Sequence, residues 1–305
     1  MTLAARAPGK VNLALFLGAT RRDGLHALVS LIEPLSLADE LTLAPAPAGV
    51  ARDEVVCPGV EGPNLAAEAL AAWRAASGWD APPQRLTIAK RVPVAAGMGG
   101  GSGDAAATLR LAAHAAGRPG DPLVATLAPR LGADVPSQVA PGPVLVAGAG
   151  EEVRSVAPRA PHGVLVLPSP HALATADVYR EADRLGLARA AGELAERRAA
   201  LERALVAGPA LPAELLVNDL EPAARSLCPA IDAALADARA AGAEHALVSG
   251  SGPTVVGIFW GTDGPAAAAA AAERLRTRHP GAAAARPIDA AFAAVRAVRD
   301  NGGSA

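Results

Sequence analysis

The chain has 305 residues and carries 28 basic against 30 acidic side chains, a formal charge of −2 that disfavours a nucleic-acid-binding protein. Hydrophobic residues make up 51% of it, although only 2% are aromatic, and this share excludes an intrinsically disordered chain. The two cysteines, Cys57 and Cys228, exclude a disulfide-stabilised scaffold and a structural zinc site.

The first half of the chain is predicted to begin with an antiparallel meander of strands over residues 1–45, with a turn at Arg21–Gly24. The remaining elements of this half follow from apolar spacing and from Asn, Gly and Pro at element ends. They are a helix over 65–77 with Asn64 as its N-cap, a strand over 84–90, a helix from about 105 to 117, a helix over 122–131 and a strand over 144–147.

A cluster of Gly, Pro and charged residues at 148–161 predicts a break between two lobes. We therefore predict an N-terminal lobe over 1–155, a C-terminal lobe over 156–300 and a disordered tail over 301–305. The second lobe is predicted to contain strands at 163–167, 246–248 and 254–260 and helices at 176–185, 193–206, 229–241 and 265–279. The fold class predicted from these elements is α+β.

Five glycines occur among the seven residues Gly97–Gly103, between a predicted strand and a predicted helix. Backbone N–H groups of such a loop and the helix N-terminus that follows it bind phosphate. The loop lacks the lysine of a Walker motif and the spacing of a dinucleotide-binding fingerprint. A phosphate-binding loop is therefore favoured over a flexible turn, and the carboxylate of Asp104 must face away from the phosphate or hold a cation.

Three segments, in order, resemble the motifs of the GHMP kinases, the superfamily of galacto-, homoserine, mevalonate and phosphomevalonate kinases. These segments are Ala7–Leu13, Pro93–Asp104 and Val248–Thr254. Four others resemble the branch of that superfamily whose acceptor alcohol carries a cytidine diphosphate, in the non-mevalonate route to isoprenoids: Arg21–Leu28, Gly132–Pro136, Thr175–Tyr179 and Asn218–Pro222. The resemblance covers about residues 7–259 and implies a two-lobed GHMP kinase fold, with a ribosomal-protein-like N-terminal lobe and a ferredoxin-like C-terminal lobe.

The reaction implied by this resemblance is the ATP-dependent phosphorylation of the 2-hydroxyl of that acceptor. Asp134 then corresponds to the acid that accepts the hydroxyl proton, and Lys10 corresponds to the lysine that keeps Asp134 ionised. The chain has only one other lysine, Lys90, which we interpret as a surface charge at the end of a strand. Mg²⁺ is expected to bind mainly through the nucleotide phosphates, without a metal site formed by the protein.

The resemblance also implies the residues that bind the two substrates. ATP is assigned to Pro93, Val94, Ala95, Ala96, Gly97, Met98, Gly99, Gly100, Gly101, Ser102, Gly103 and Asn64. The acceptor is assigned to Asn12, Leu25, His26, Thr175, Tyr179, Ser249 and Gly250. We expect Ser102 both to cap the helix and to contact phosphate.

The sequence departs from the family pattern at two places. Leu25 replaces a tyrosine that is expected to stack on cytosine, so stacking is assigned to Tyr179, and His26 is assigned to the polar edge of the base. Gly103 and Asp104 replace a common Ser-Asn pair, which leaves one hydroxyl fewer at the phosphates.

Two alternative functions are considered beside this one. The first is another GHMP kinase, of the homoserine or mevalonate type, although Asp23–His26 favours a nucleotide-bearing acceptor. The second is a non-catalytic ligand- or RNA-binding descendant, which the net charge and the single tyrosine disfavour. Because no apolar run is long enough to span a membrane and Met1–Lys10 lacks the apolar stretch of a signal peptide, we expect a cytoplasmic protein without a membrane partner. We also expect a monomer or homodimer without a nucleic-acid partner.

Overall fold

The computed structural model describes residues 1–298, and the tail predicted over 301–305 lies outside the described residues. Its strands, in chain order, are β1 (Thr2–Thr20), β2 (His26–Pro45), β3 (Glu54–Val56), β4 (Gln84–Ala89), β5 (Val144–Gly148), β6 (Glu152–Ser155), β7 (His162–Leu167), β8 (His245–Val248), β9 (Val255–Trp260), β10 (Ala283–Ala285) and β11 (Arg296–Val298). Its α-helices are α1 (Leu65–Ser77), α2 (Gly100–Ala115), α3 (Leu123–Leu131), α4 (Val135–Gln138), α5 (Thr175–Leu185), α6 (Ala191–Ala207), α7 (Glu221–Leu227), α8 (Ala230–Ala240) and α9 (Gly264–Leu275).

The first sheet is built on one long antiparallel hairpin of β1 and β2, closed by the predicted turn at Arg21–Gly24. Strand β2 is continuous from His26 to Pro45. Its two halves have different partners, because residues 28–32 pair with β5 and residues 40–45 pair with β4. An irregularity of β1 falls between Pro8 and Lys10, and such bulges change the direction of side chains beside functional sites.

Helices α1 and α2 pack on one face of this sheet, and α3 and α4 pack on these two helices. Helix α2 packs its alanines and leucines on apolar side chains of β1, β2 and β4, and it contacts α1 through the fully buried Trp73. Small residues on α2 let it lie close to the sheet, which brings the N-terminus of this helix next to β1. No helix within residues 1–298 has the length and apolarity needed to cross a membrane.

The second sheet has the strand order β10-β7-β9-β8 and is antiparallel throughout. Val164 and Val166 of β7 pack against side chains of the first sheet, while Leu165 and Leu167 pack against the helix side of the second sheet. This alternation explains why β7 is a continuous apolar run, since both of its faces are buried. The two sheets therefore share one core cluster, and loops at their junction lie close together.

Several elements differ from the sequence-based prediction. Strand β6 lies inside the predicted break, and β11 at the chain end pairs with β1 of the first sheet. The short helices α4 and α7 were not predicted, and α9 ends at Leu275 rather than at His279. The lobe boundary near residue 155 stays a prediction; β6 ends at Ser155, and β7 opens the second sheet at His162.

Candidate active site

Lys10 lies on β1 at the junction of the two sheets, with its side chain 4% exposed. Its Nζ donates to Asn12 Oδ1 over 2.7 Å, Asn12 Nδ2 donates to Ser30 Oγ, and Ser30 Oγ donates to a main-chain carbonyl. This chain of bonds fixes the amide of Asn12 with its oxygen towards the ammonium. Lys10 and Asn12 thus share one strand face, as the period of the strand predicts.

Asp134 lies at the N-terminus of α4, and its carboxylate is 42% exposed. Its Oδ2 is 3.6 Å from Lys10 Nζ, so the two residues that the sequence pairs are brought together. Asp134 makes no side-chain cap bond to α4 within the described structure. The carboxylate is therefore held beside a buried cation and remains open to a ligand.

The glycine-rich loop passes directly over Lys10. The N–H of Lys10 donates to Met98 O over 2.9 Å, and a Cβ on Gly99 would lie 3.0 Å from Lys10 Cγ. Gly97 and Gly99 have φ values of 73° and 65°, which glycine adopts without strain. Ala96 and Met98 are buried beneath the loop, while Val94 is exposed, so the loop presents mainly backbone to a ligand.

Ser102 is not the helix cap that the sequence suggested. Helix α2 begins at Gly100 with Gly99 as its cap residue, which places Ser102 inside the first turn. Gly99 offers no side-chain acceptor, so the first-turn N–H groups of α2 are available to an anion. Asn64 is confirmed as the N-cap of α1, because its Oδ1 accepts the N–H of Ala66 over 2.9 Å.

A second glycine-rich loop, Ser249–Gly252, lies against the first. Ser249 Oγ donates to Gly97 O over 3.1 Å, and a Cβ on Gly250 would lie 3.1 Å from Lys10 Nζ. Asn218, which the sequence analysis placed in a motif but not in the site, holds this loop by donating to the carbonyls of Val248 and Gly250. Both loops therefore converge on Lys10.

His26 and Tyr179 come together although 153 positions separate them in the chain: their ring centroids are 5.0 Å apart with an angle of 44° between the ring planes. Burial, and then the negative charge of Asp134, raise the pKa of Tyr179 to about 12, so this phenol stays neutral at physiological pH. Leu25 is 54% exposed at the hairpin turn. The aromatic pair thus lies on the same side of the site as Asp134.

Two partners of these residues were missed by the sequence analysis. Asp183 Oδ1 lies 2.7 Å from His26 Nε2, and Ser251 Oγ is 3.1 Å from Thr175 Oγ1. Asp183 follows Tyr179 by four residues on α5, so helical spacing could have indicated that both side chains lie on one face.

Lys90 is not the surface charge that the sequence suggested. Its side chain is 14% exposed, and its Nζ lies between the carboxylates of Asp39 and Asp104. Asp104 accordingly holds a cation that the protein itself supplies, which is one of the two arrangements allowed for it in a phosphate-binding loop.

Gln138 was also missed, although it lies four residues after Asp134 at the end of α4. Its amide is 1% exposed and has no hydrogen-bond partner within residues 1–298. The Nε2 atom is 3.6 Å from the position that a Cβ on Gly99 would take. Such an amide can hold a water or a ligand oxygen beside the loop. Across the described residues, His, Cys, Asp and Glu side chains form no group of three or more that could hold a metal ion.

The chain is similar to known proteins in both sequence and fold. The family models for the GHMP kinases N terminal domain and for the GHMP kinases C terminal match residues 64–147 and 199–281. The 4-diphosphocytidyl-2-C-methyl-D-erythritol kinase of Anaeromyxobacter dehalogenans (strain 2CP-1) is 41% identical over 93% of this chain and 88% of its own length. The kinase of the same name from Streptomyces coelicolor is 40% identical over 86% of this chain and 89% of its own length.

A solved structure gives the same relationship. The crystal structure of a 4-(cytidine 5'-diphospho)-2C-methyl-D-erythritol kinase superposes with a TM-score of 0.71 and 30% identity, over 94% of this chain and 99% of the solved chain. The two-lobed GHMP kinase fold predicted from the sequence is thereby confirmed. The chain belongs to the GHMP kinases and, within them, to the family of the 4-diphosphocytidyl-2-C-methyl-D-erythritol kinases.

Proposed function

We propose that this chain transfers the γ-phosphoryl group of ATP to the 2-hydroxyl of 4-diphosphocytidyl-2-C-methyl-D-erythritol, a step of isoprenoid precursor biosynthesis. The observation that carries the proposal is the Lys10–Asp134 pair, 3.6 Å apart, at the meeting point of two glycine-rich loops. Phosphoryl transfer depends mostly on positioning and on neutralising charge, and this arrangement supplies both.

Asp134 acts as the proton acceptor in this proposal. Its carboxylate is half-exposed, so an alcohol can approach it, and the ammonium of Lys10 lies 3.6 Å away. As the hydroxyl oxygen attacks the γ-phosphorus, the bond from that phosphorus to the β,γ-bridging oxygen breaks and ADP leaves, while the hydroxyl proton passes to Asp134 Oδ. Lys10, held by Asn12, then lies beside the negative charge that develops on the attacking oxygen and on the transferred group.

The nucleotide phosphates are assigned to the loop Pro93–Gly103 and the N-terminus of α2. The uncapped N–H groups of the first turn of α2 and the dipole of this helix favour an anion there. Ser102 supplies a hydroxyl inside that turn, and Asn64 lies at the start of α1 on the adenine side.

The cytidine is assigned to the surface formed by His26, Tyr179 and Leu25. Tyr179 offers the stacking face, and His26 offers hydrogen-bonding groups held in place by Asp183. Thr175 is paired with Ser251 of the second glycine-rich loop, and Gly250 of that loop lies beside Lys10. We therefore assign the acceptor to Thr175, Gly250 and the neighbouring Ser249.

Mg²⁺ fits this site as a partner of the nucleotide. Near the loop, the hydroxyl of Ser102 would be a single oxygen donor to the ion rather than part of a closed cage. Mg²⁺ keeps several waters and binds readily through substrate phosphates. When bound, the ion neutralises charge on the phosphates.

The alternative functions are not favoured. If this chain phosphorylated homoserine or mevalonate, we would expect its most similar relatives to be homoserine or mevalonate kinases. The relatives at about 41% identity are instead named as kinases of 4-diphosphocytidyl-2-C-methyl-D-erythritol. Retention of both Lys10 and Asp134 argues against a non-catalytic descendant.

The proposal is tested by measuring ADP release from ATP and Mg²⁺ with each candidate alcohol in turn. We expect turnover with 4-diphosphocytidyl-2-C-methyl-D-erythritol and background rates with homoserine and mevalonate. Turnover with either of the other alcohols, and none with the cytidine substrate, would refute the proposal.

A further inference from the structure

His26 is held by two polar neighbours on one edge of its ring. Asp183 Oδ1 lies 2.7 Å from His26 Nε2, and Thr20 Oγ1 lies 3.2 Å from the same nitrogen. The side chain of His26 is 8% exposed, whereas that of Asp183 is 50% exposed. The imidazole also packs against the ring of Tyr179, at 5.0 Å between the ring centroids. These contacts together give the imidazole one preferred orientation.

The two neighbours also determine which nitrogen of the imidazole carries a hydrogen. An ionised carboxylate can only accept a hydrogen bond, so the contact with Asp183 requires a hydrogen on Nε2. The hydroxyl oxygen of Thr20 can accept as well, so neither neighbour opposes this assignment. In a neutral imidazole only one nitrogen carries a hydrogen, and its hydrogen bond selects the tautomer. Nδ1 of His26 is then left with a free lone pair.

This lone pair is open to a ligand. Nδ1 of His26 makes no hydrogen bond within residues 1–298, and it is not sealed from solvent as the unpaired amide of Gln138 is. The ring that carries it lies between Tyr179, to which stacking is assigned, and the exposed hairpin turn at Leu25. A hydrogen-bond acceptor beside an aromatic ring suits a flat ligand that stacks and donates one hydrogen bond.

The two common pyrimidine bases differ in what they offer such an acceptor. Cytosine carries an amine at position 4, and in a nucleotide this amine is the only hydrogen-bond donor of the base. Uracil carries a carbonyl oxygen at that position. A lone pair on Nδ1 therefore pairs with the amine of cytosine, whereas uracil in the same pose would place two acceptors against each other and leave both unpaired.

We propose that Asp183 is a specificity-determining residue, which positions His26 with a lone pair on Nδ1 and so selects a cytidine diphosphate over a uridine diphosphate on the alcohol substrate. The inference rests on the proposed function, because it takes the surface of His26 and Tyr179 to hold the base. Asp183 acts through His26 and does not touch the base. Its role differs from that of Tyr179, because stacking on an aromatic ring tolerates either base.

The first test compares two substrates that differ only in the base: 4-diphosphocytidyl-2-C-methyl-D-erythritol and its uridine analogue. The value of kcat/KM is measured for both at about pH 8, where imidazole is ordinarily neutral. The quantity followed is the ratio of the two values. Because both come from one preparation, the ratio does not depend on the fraction of protein that is folded. The charge of Asp183 acts equally on the diphosphate that both substrates contain, so its effect cancels too.

Asp183→Asn is the variant to measure, because its amide can either accept from Nε2 or donate to it and so satisfies both tautomers of His26. The matched control is Asp232→Asn. Asp232 lies in α8, is 56% exposed and is paired at 2.5 Å with Arg225, so this substitution removes the same charge from another exposed ion pair.

We expect the unaltered chain and Asp232→Asn to prefer the cytidine substrate by about 10-fold or more. Asp183→Asn should lower that preference by about 5- to 10-fold, which is typical for the loss of one hydrogen bond that distinguishes two ligands. The change should fall on KM for the cytidine substrate rather than on kcat, because the base takes no part in the phosphoryl transfer.

The second test determines the tautomer without any substrate. In protein that contains ¹⁵N-labelled histidine, nitrogen NMR distinguishes a ring nitrogen that carries a hydrogen from one that has a lone pair. The signals of His26 are those that disappear in His26→Gln. At about pH 8 we expect the hydrogen on Nε2 in the unaltered chain and a mixture of the two tautomers in Asp183→Asn.

The outcomes separate the two claims. If the unaltered chain turns over neither substrate, the proposed function fails and the selection of the base fails with it, whatever the NMR spectra show. If the cytidine substrate is turned over but the preference for it is absent, or is kept in full by Asp183→Asn, the inference alone is refuted. A hydrogen on Nδ1 of His26 in the unaltered chain refutes the inference as well and leaves the proposed function intact.

Discussion

At the scale of single residues, Lys10 is the point at which the parts of the site meet. Its main chain bonds to one glycine-rich loop, its side chain lies beside the other, and its ammonium faces Asn12 and Asp134. A flexible lysine with three donors would otherwise sample many rotamers. Burial and the Asn12 bond restrict it to the conformation in which it faces the carboxylate.

Asp134→Asn is expected to lower turnover by about 10²- to 10⁴-fold, the usual range for loss of a general base. ATP affinity should be unchanged, since the carboxylate faces the acceptor. Lys10→Met should also lose turnover, and the double variant should be little worse than the worse single variant, because paired groups act as a unit. Steady-state kinetics measure the turnover of each variant, and titration with ATP measures its ATP affinity. Near-normal turnover of Asp134→Asn would show that another group accepts the proton.

Tyr179→Ala should raise KM for the cytidine substrate by a factor that corresponds to about 1–3 kcal/mol of stacking, and KM for ATP should hardly change. Leu25→Tyr should be tolerated, because residue 25 is exposed at the hairpin turn, and it should lower that KM by adding a second stacking face. Kinetics of both variants with the cytidine substrate decide the matter. An unchanged KM for Tyr179→Ala together with loss of activity in Leu25→Tyr would show that cytosine binds elsewhere.

The sequence could predict residues that belong to a motif but not the burial of isolated charges. Lys10 and Asp134 were found because each lies in a recognisable segment, and the structure brings them within 3.6 Å. Lys90 was misinterpreted, because its two aspartate partners are 51 and 14 positions away and only the fold brings them together. Asp183 could have been found from its spacing to Tyr179, since the helix that carries both was predicted.

At the scale of elements, the two glycine-rich loops are joined where Gly97 meets Ser249. A Cβ on Gly97 would overlap the carbonyl oxygen of Ser249, and φ at this position is 73°. Backbone-to-backbone approach of this kind requires glycine at that position. The contact keeps the proposed phosphate-binding loop and the loop beside Lys10 in one rigid arrangement.

Gly97→Ala should therefore separate the loops and lower kcat by about 10-fold or more, because small displacements of reacting groups are costly in rate. Gly192→Ala is the matched control: this glycine lies in α6 with open space around its Cβ position, and alanine favours a helix. Kinetics and circular dichroism of both variants test the claim. If Gly97→Ala keeps full kcat, the contact between the loops is dispensable.

The boundaries of the elements near the site were the least predictable feature of the fold. The alanine-rich helix was expected after Asp104, yet α2 already begins at Gly100. Glycines have low intrinsic helix propensity, and here the packing of α2 on the first sheet outweighs it. As a result Ser102 lies inside the first turn, and the N-terminus of α2 reaches closer to Lys10 than the sequence suggested.

At the scale of the whole molecule, the two sheets share a core, and one buried pair crosses between them. Glu33 of β2 lies 2.9 Å from His162 of β7, and both side chains are at most 1% exposed. Burial opposes the charged imidazole, but the adjacent carboxylate of Glu33 outweighs this effect and raises the pKa of His162 above its usual value. The pair therefore links the stability of the sheet junction to pH.

Because the folded pKa of His162 is raised, its contribution to stability is present below the unfolded pKa and is lost as the pH rises through the folded pKa. We expect the difference in free energy of unfolding between the unaltered chain and Glu33→Gln to be largest near pH 6 and to shrink towards pH 9. Denaturant unfolding at several pH values measures it. Glu152→Gln, which removes an exposed carboxylate paired with Arg198, should show no such trend. A difference for Glu33→Gln that is independent of pH would contradict the assignment.

The α+β fold class and the two-lobed architecture could be predicted from the sequence. Long apolar runs and turn residues indicate the elements, and the three kinase motifs occur along the chain in the order that the family shows. The path of the C-terminal segment could not, since β11 is three residues long and its pairing with β1 depends on tertiary contacts. The contact between the two sheets could not be predicted either, because Glu33 and His162 are 129 positions apart and neither lies in a recognised motif.

The central claim, that the Lys10–Asp134 site phosphorylates the 2-hydroxyl of 4-diphosphocytidyl-2-C-methyl-D-erythritol, is tested most directly by phosphorus NMR of the product. The unaltered chain and Asp134→Asn are incubated with ATP, Mg²⁺ and this substrate. We predict one new phosphomonoester on the 2-hydroxyl, formed in equal amount to ADP, and almost none with Asp134→Asn over the same time. A phosphate on another hydroxyl, ADP without a phosphorylated product, or equal yield from both proteins would contradict the account.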